Sequence, residues 1–192
     1  MLKNHKRIDN MRVITGSARG RVLKTLQGDD VRPTTDRVKE AVFSIIQFEI
    51  EGRRVLDLFA GSGQLGIEAL SRGAQSVAFV DISKDSVSTV KYNLEHTRLS
   101  ENARVFQTDA LSFLKLGSEV FDIVFLDPPY NSGLLEKALG LLPDRVAAGG
   151  VVMCETPFGA DLPDFVGSLT RAKSYKYGKI MITVYRKEAA EI

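Results

Sequence analysis

The segment Phe59-Ala60-Gly61-Ser62-Gly63-Gln64-Leu65-Gly66 joins a short apolar strand, residues 53–58, to a helical stretch, residues 67–72. This order of strand, glycine-rich turn and helix is typical of nucleotide-binding α/β proteins. The first two glycines allow positive φ and a close approach of a ligand, while the third allows the helix to pack near the strand. The helix N-terminus then offers N–H groups to an anionic group.

Acidic residues close four predicted strands, and they are Asp57, Asp81, Asp109 and Asp127. The carboxyl ends of parallel strands meet at one edge of a sheet, where ligands of open α/β sheets bind. Asp81 can bind both hydroxyls of a ribose, Asp57 suits a cationic methionine amine, and Asp109 suits an adenine amine. NAD and S-adenosylmethionine both contain such a ribose, but the acid before the loop favours S-adenosylmethionine. Each acid is also a common helix N-cap, so a purely structural role stays open.

The tetrapeptide Asp127-Pro128-Pro129-Tyr130 follows the apolar run 121–126. Two prolines lack N–H groups and have fixed φ, so the strand stops there and its carbonyls stay available as acceptors. Asp127 and the Pro128 carbonyl can each accept one hydrogen of an exocyclic amine, while Tyr130 stacks on the ring that carries it. The simpler alternative is a strand terminator followed by a turn.

Strands and helices alternate from residue 53 onward, which predicts one parallel sheet covered on both faces. We expect strands near 53–58, 76–81, 103–108, 121–126 and 150–156, and helices near 64–72, 83–97, 131–147 and 161–169. The stretches 170–177 and 179–187 lack an intervening helix, so they are predicted to form a hairpin that adds one antiparallel strand.

The N-terminal part differs in composition from the rest. Residues 1–39 contain ten Lys and Arg against four acids, a net charge of +6, which leaves −4 for the remainder of a chain whose total is +2. A basic segment on a mildly acidic body favours phosphate contact, although charge runs are often only solubilising. The candidate phosphate-binding residues are Arg12, Arg19, Arg21, Arg32 and Arg37.

Three regions are predicted along the chain. Residues 1–10 read as a flexible tail. Residues 11–50 read as a basic unit, with a hairpin formed by the stretches 11–15 and 21–25 and then a helix. Residues 51–192 read as the catalytic domain, and their length and apolar content suffice for one core.

Composition disfavours several other classes of protein. The single cysteine, Cys154, lies in an apolar run and is expected in the core, so no intrachain disulfide can form and a cysteine nucleophile for pyrimidine C5 methylation is unsupported. With two histidines we expect no metal site. No apolar stretch reaches membrane-spanning length and no secretion signal is evident, so we expect a soluble, cytoplasmic protein.

The motifs together resemble the RsmD family of bacterial 16S ribosomal RNA guanine-N2 methyltransferases. The glycine loop and Asp-Pro-Pro-Tyr indicate only the larger class I methyltransferase group, whereas Arg32-Pro33-Thr34-Thr35-Asp36-Arg37 and Ser71-Arg72-Gly73-Ala74 indicate the narrower family. The resemblance runs from Met11 to the last strands. Asp81 stands where many relatives carry glutamate, and either carboxylate can bind a ribose diol.

The resemblance implies a Rossmann-like class I methyltransferase fold, with a seven-stranded, mostly parallel sheet, one antiparallel strand, and an N-terminal hairpin and helix. It implies a protein that uses S-adenosylmethionine and acts on 16S rRNA, either free or within the small ribosomal subunit. We expect a monomer, although the sequence leaves the oligomeric state open. Asp127, Pro128 and Tyr130 would hold the guanine amine. The residues that would hold the cofactor are Asp57, Phe59, Ala60, Gly61, Gly63, Asp81, Ile82, Asp109 and Ala110.

Three alternatives stay open from the sequence. The first is another amine methyltransferase of the same fold, acting on DNA adenine N6 or on protein glutamine. The second is a nicotinamide-dependent oxidoreductase, which the bare glycine pattern also fits. The third is a non-catalytic RNA-binding module, against which the retained Asp127 and Tyr130 argue.

Overall fold

The computed structural model describes residues 11–26, 36–130 and 132–189. A single sheet has the strand order β3-β2-β1-β4-β5-β8-β7-β6. In chain order the elements are α1 Asp36–Ile45, β1 Arg54–Leu58, α2 Gln64–Ser71, β2 Ser76–Asp81, α3 Lys84–Thr97, a 3₁₀ turn Ser100–Asn102, β3 Ala103–Gln107, α4 Ala110–Leu116, β4 Phe121–Leu126, α5 Leu134–Leu141, β5 Val146–Pro157, β6 Phe165–Val166, β7 Leu169–Tyr177 and β8 Ile180–Lys187.

The predicted fold class is confirmed. Strands β1 to β5 are parallel, and β8 lies antiparallel between β5 and β7. The sheet differs from the expectation by an eighth strand, since the two-residue β6 pairs with β7 at the outer edge. The predicted C-terminal hairpin is present as β7 and β8.

Both faces of the central parallel strands β1, β2 and β4 are buried, which explains their near-continuous apolar sequence. Val55 and Phe79 belong to the core on one face, against α1, α2 and α3. Leu56 and Val80 belong to the core on the other face, against α4 and α5. Successive residues of a strand point to opposite faces, so each strand contributes to both cores.

Gly66 allows α2 to lie close to the sheet. A Cβ at this position would come within 2.7 Å of Cζ of Phe79 and 2.9 Å of Cγ1 of Val77. Both neighbours are fully buried side chains of β2, so neither can move away without disturbing the core. The third glycine of the loop therefore serves helix–strand packing, as its spacing predicted.

The helix predicted near 161–169 is wrong. Residues 161–164 form no helix, and the chain continues into β6 and then β7. Pro163 and Gly167, which has a φ of 56°, oppose a continuous helix. Leu162 and Leu169 are both buried, although they do not lie on one face of a helix. The apolar residues of this segment therefore indicated a helix that does not form.

Two other helices also differ from the prediction. Helix α5 covers only Leu134–Leu141, because Pro143 follows closely and β5 already begins at Val146. Helix α4 was not predicted. It is seven residues long, and the Asp109 side chain caps it by accepting a hydrogen bond from the Ser112 N–H at 2.8 Å.

The N-terminal unit packs on helix α2 through a buried carboxylate. Glu68 accepts hydrogen bonds from the N–H groups of Ile14 at 2.7 Å and Thr15 at 2.9 Å, and from Arg72 Nε at 2.8 Å. Lys39 Nζ lies 3.8 Å from Glu68 and donates to the Arg12 carbonyl. Burial lowers the pKa of Lys39, and the Glu68 carboxylate opposes that shift.

The predicted N-terminal hairpin forms as a narrow pair with one bridge, between Arg12 and Val22. Residues 1–10 and 27–35, which include Arg32, lie outside the described residues. Among the helices that are described, none is long and apolar enough to cross a membrane.

Two alanine substitutions test the packing of α2. Gly66→Ala should lower the free energy of unfolding by about 1–3 kcal/mol, because the new methyl group must displace Phe79. Gly140→Ala is the matched control, since a Cβ at this position of α5 would have no neighbour within 4 Å. It should raise the free energy of unfolding by about 0.5–1 kcal/mol. Urea unfolding measures both, and equal effects would contradict the assigned role of Gly66.

Candidate active site

A cleft of about 580 Å³ opens at the carboxyl edge of the sheet. Ten of the residues predicted for the cofactor and the amine line it together: Phe59, Ala60, Gly61, Asp81, Ile82, Asp109, Ala110, Asp127, Pro128 and Tyr130. A cleft of this size suits a nucleotide-sized ligand. The carboxyl ends of the parallel strands meet at this edge, so residues that are far apart in the chain line one cleft, as the sequence predicted.

The loop after β1 adopts a tight left-handed path. Phe59 has a φ of 74°, which a residue with a side chain rarely adopts, and its N–H donates to the Val80 carbonyl. Gly61 and Gly63 also have positive φ. A Cβ on Gly61 would meet no atom within 4 Å, so the backbone at this point borders open space and a ligand can approach it.

Asp57 lies beneath the loop and not on the cleft surface. Its side chain is 3% exposed and accepts a hydrogen bond from the Gly66 N–H at 2.9 Å. Burial, assisted by the nearby Asp81 carboxylate and opposed by the Gly66 hydrogen bond, raises the pKa of Asp57 to about 7. The structure thus gives Asp57 a role in shaping the loop, where the sequence predicted a cofactor contact.

Asp81 is at the end of β2 and faces the loop. Its carboxylate accepts hydrogen bonds at 2.8 Å from the N–H groups of Gly61 and Ser83. A carboxylate has about four acceptor sites, so this arrangement is compatible with further bonds to a diol. The next residue, Ile82, is 70% exposed and offers an apolar surface to the face of a ring.

Asp109 combines the two roles that the sequence left open. It lines the cleft and is also the N-cap of α4. The hydrogen bonds from Ser112 hold the pKa of Asp109 below its usual value. The carboxylate is therefore ionised at neutral pH and remains a hydrogen-bond acceptor at the wall of the cleft.

Asp127, Pro128 and Tyr130 form the end of the cleft beyond β4. The Tyr130 hydroxyl donates a hydrogen bond to Glu155 Oε1 at 2.9 Å. Glu155 lies near the end of β5, is 9% exposed and lines the same cleft. The sequence did not predict Glu155, which lies inside β5 and two residues before the strand ends.

The predicted phosphate-binding arginines that the structure describes, Arg12, Arg19, Arg21 and Arg37, lie outside the cleft lining. Arg12 and Arg19 are exposed on the N-terminal unit, and Arg37 is exposed on α1. Arg12 pairs with Asp36, and Arg21 donates to the His96 carbonyl at 2.6 Å. The same N-terminal unit contributes Met11, Thr25 and Leu26 to the cleft wall, an additional contribution that the sequence did not reveal.

Within the ranges that the structure describes, no group of three or more His, Cys, Asp or Glu side chains is arranged to hold a metal ion. Cys154 is buried in the core, and desolvation strongly raises the pKa of its thiol. The cleft lining includes carboxylates, hydroxyl-bearing side chains such as Ser62 and Ser86, the amide of Gln64 and the ring of Tyr130.

The strand order, the left-handed glycine loop and the acids at the strand ends are those of a class I methyltransferase. Comparison with known proteins agrees with this class. The chain belongs to the family described as Conserved hypothetical protein 95, which matches residues 11–186.

Relatives of known name support the same assignment. The chain is 35% identical over 188 residues to "Ribosomal RNA small subunit methyltransferase D" of Escherichia coli strain K12, covering 97% of this chain and 94% of the relative. It is 44% identical over 135 residues to the protein of the same name from Haemophilus influenzae, covering 69% of this chain and 70% of the relative. The solved structure of yhhF from Escherichia coli has a TM-score of 0.81 at 35% identity, covering 94% of this chain and 99% of that one. These matches confirm the RsmD-like family that the motifs indicated.

The buried Asp57 provides a test by titration. Its carboxyl should titrate near pH 7 in the folded protein, while Asp109 should titrate below its usual value. Carbon-13 NMR of labelled aspartate carboxyls measures both in one sample. A midpoint for Asp57 near 4 would contradict the desolvated position.

The same shift predicts a pH dependence of stability. An unfolded aspartate loses its proton near pH 4, whereas folded Asp57 keeps it to about pH 7, so its contribution to stability falls as the pH rises through this window. Asp57→Asn retains an acceptor for Gly66 without a charge. Between pH 5 and pH 8 the wild type should lose about 2 kcal/mol relative to this variant in urea unfolding.

Proposed function

We propose that this protein transfers a methyl group from S-adenosylmethionine to the exocyclic N2 amine of a guanine in the small-subunit ribosomal RNA. The observation that carries the proposal is the single cleft in which the glycine loop and Asp81 face the segment Asp127–Tyr130. The names of the relatives support ribosomal RNA as the substrate. The resemblance to the family further implies guanine 966 as the target.

The cofactor end of the cleft has the groups that a ribosylated adenine and an amino acid require. Asp81 would accept hydrogen bonds from the ribose hydroxyls, while Ile82 and Ala110 would contact the adenine and Asp109 its amine. The backbone at Gly61, where no side chain intrudes, would contact the methionine part. When bound, S-adenosylmethionine supplies a methyl group on a sulfonium, which is already a strong electrophile.

The protein's task is to orient the amine. The lone pair of a guanine amine is delocalised into the ring, so the amine is a poor nucleophile. Asp127 and the Pro128 carbonyl would accept its two hydrogens and favour a pyramidal nitrogen whose lone pair faces the methyl group. Alignment of this kind contributes effective molarities of about 10⁵ M or more. Asp127 also stabilises the charge that develops on nitrogen, and the proton leaves after transfer.

The target base must lie in an unstacked loop or leave its stack to reach a pocket at the sheet edge. Tyr130, which is 37% exposed, would stack on the base. The exposed arginines Arg12, Arg19 and Arg37 lie on the unit that contributes to the cleft wall and would hold neighbouring phosphates. A ribosomal substrate implies the cytoplasm as the place of action.

A hydride-transferring enzyme is the weaker reading of this cleft. Nicotinamide chemistry gives no role to Asp127 and Tyr130, and a pyrophosphate would meet the acids that border the loop. Calorimetry with NADH and with S-adenosylmethionine separates the two classes, because only the second ligand should bind.

The identity of the product tests the proposal directly. Unmodified small subunits, naked 16S rRNA, DNA and protein should be incubated with labelled S-adenosylmethionine, and the modified component should be digested and identified by mass spectrometry. We expect N2-methylguanosine from ribosomal RNA. Label in N6-methyladenine or in glutamine would assign the chain to one of the alternative amine methyltransferases.

Asp127→Ala should reduce the rate of methyl transfer by about a hundredfold or more while cofactor binding stays near the wild-type level. The reason is that Asp127 lies at the amine end of the cleft and not at the cofactor end. Asp144→Ala removes an exposed acid that precedes β5, at the opposite edge of the sheet, and is the matched control. Single-turnover kinetics and calorimetry measure the two quantities. Wild-type turnover in Asp127→Ala would remove this residue from the mechanism.

A further inference from the structure

A second carboxylate lies beside Asp127 at the amine end of the cleft. The register of β4 with β5 runs to Leu126 opposite Cys154, and Asp127 and Glu155 are the residues that directly follow this last pair. Parallel strands are about 5 Å apart, so the two acids lie side by side at the carboxyl edge. Glu155 is 9% exposed, and both residues line the cleft.

The position of Glu155 is unusual for an acid. It lies within a strand between the buried residues Cys154 and Thr156. Burial of a carboxylate costs free energy unless hydrogen-bond donors compensate for the lost water. The Tyr130 hydroxyl is one such donor, at 2.9 Å. A carboxylate has about four acceptor sites and can accept hydrogen bonds from several donors at once.

The amine end of the cleft thus presents a group of acceptors. The carboxylates of Asp127 and Glu155 and the carbonyl of Pro128 all accept hydrogen bonds and donate none. A ring that binds against them must carry donors along the edge that it presents. Guanine carries adjacent donors, N1–H and the N2 amine. Adenine carries a lone pair at N1 next to its amine, and this lone pair would face a carboxylate.

We propose that Glu155 accepts the N1–H of the target guanine and so determines the choice of base, while Asp127 and Pro128 hold the amine. This inference rests on the proposed function and deepens it. Tyr130 has two tasks in this arrangement. Its ring stacks on the base, and its hydroxyl holds the Glu155 carboxylate in the orientation that faces the N1–H. In this arrangement Glu155 favours guanine, which offers an N1–H donor, over adenine, whose N1 carries a lone pair.

Binding of nucleosides tests the inference without the need for methyl transfer. The protein is saturated with S-adenosylhomocysteine and titrated with guanosine, 2-aminopurine riboside and inosine, with Kd measured by NMR. 2-Aminopurine keeps the amine but has a lone pair at N1, while inosine keeps N1–H and lacks the amine. Wild type should bind guanosine at least about tenfold more tightly than 2-aminopurine riboside, because a site built around a hydrogen bond rejects an analogue that lacks the donor.

Glu155→Gln should abolish this preference, since the glutamine amide can donate to the N1 lone pair of 2-aminopurine. The ratio of Kd values for guanosine and inosine should stay unchanged, because both nucleosides carry N1–H. Glu155→Asp keeps a carboxylate and should keep a preference for guanosine. Tyr130→Phe removes the hydroxyl but leaves Glu155 in place, so it should weaken binding of all three nucleosides and retain the order of preference.

Equal loss of affinity for all three nucleosides in Glu155→Gln would mean that Glu155 only supports Tyr130, and this result would overturn the inference. Equal binding of guanosine and 2-aminopurine riboside by the wild type, or no binding of guanosine, would also overturn it. Failure of the proposed function is distinguishable. In that case guanosine would still be selected through Glu155, but ribosomal RNA would yield no N2-methylguanosine.

Discussion

The hydrogen bond between the Asp57 carboxylate and the Gly66 N–H holds together the loop on which the cleft depends. The bond lies beneath the turn that connects β1 to α2, and a buried N–H left without an acceptor costs about 1–3 kcal/mol. The absence of a side chain at Gly66 lets α2 lie against Phe79. Asp81, at the end of the neighbouring strand β2, also holds this loop, because its carboxylate accepts a hydrogen bond from the Gly61 N–H. Two acids from neighbouring strands thus fix one short stretch of backbone.

The N-terminal unit becomes part of the cleft through a second buried acid. Glu68 receives hydrogen bonds from the backbone of Ile14 and Thr15, and Lys39 and Arg72 balance its charge. Removal of one member of such a buried group leaves an uncompensated charge, which is strongly destabilising. The network explains how a basic segment outside the sheet is held beside the cleft.

The cleft was largely predictable because its residues follow local patterns. Asp81, Asp109 and Asp127 each follow a recognisable apolar strand, and parallel strands bring their carboxyl ends to one edge. How deeply a strand-end side chain is buried does not follow from a local sequence pattern. The sequence therefore did not predict that Asp57 is buried beneath the loop. Glu155 has no such signal in the sequence, because it lies inside β5 in a run of buried residues.

Patterns within a few residues were enough to establish the order of the five parallel strands, the glycine turn and the family. They rest on periodicity and on backbone conformations that particular residues permit. The register between β4 and β5, the depth of Asp57 and the position of the N-terminal unit on Glu68 arose from packing between distant segments. Short-range patterns carry no information on which side chains meet across a sheet. The acceptor-lined end of the cleft, formed by Asp127 and Glu155, therefore became visible only in three dimensions.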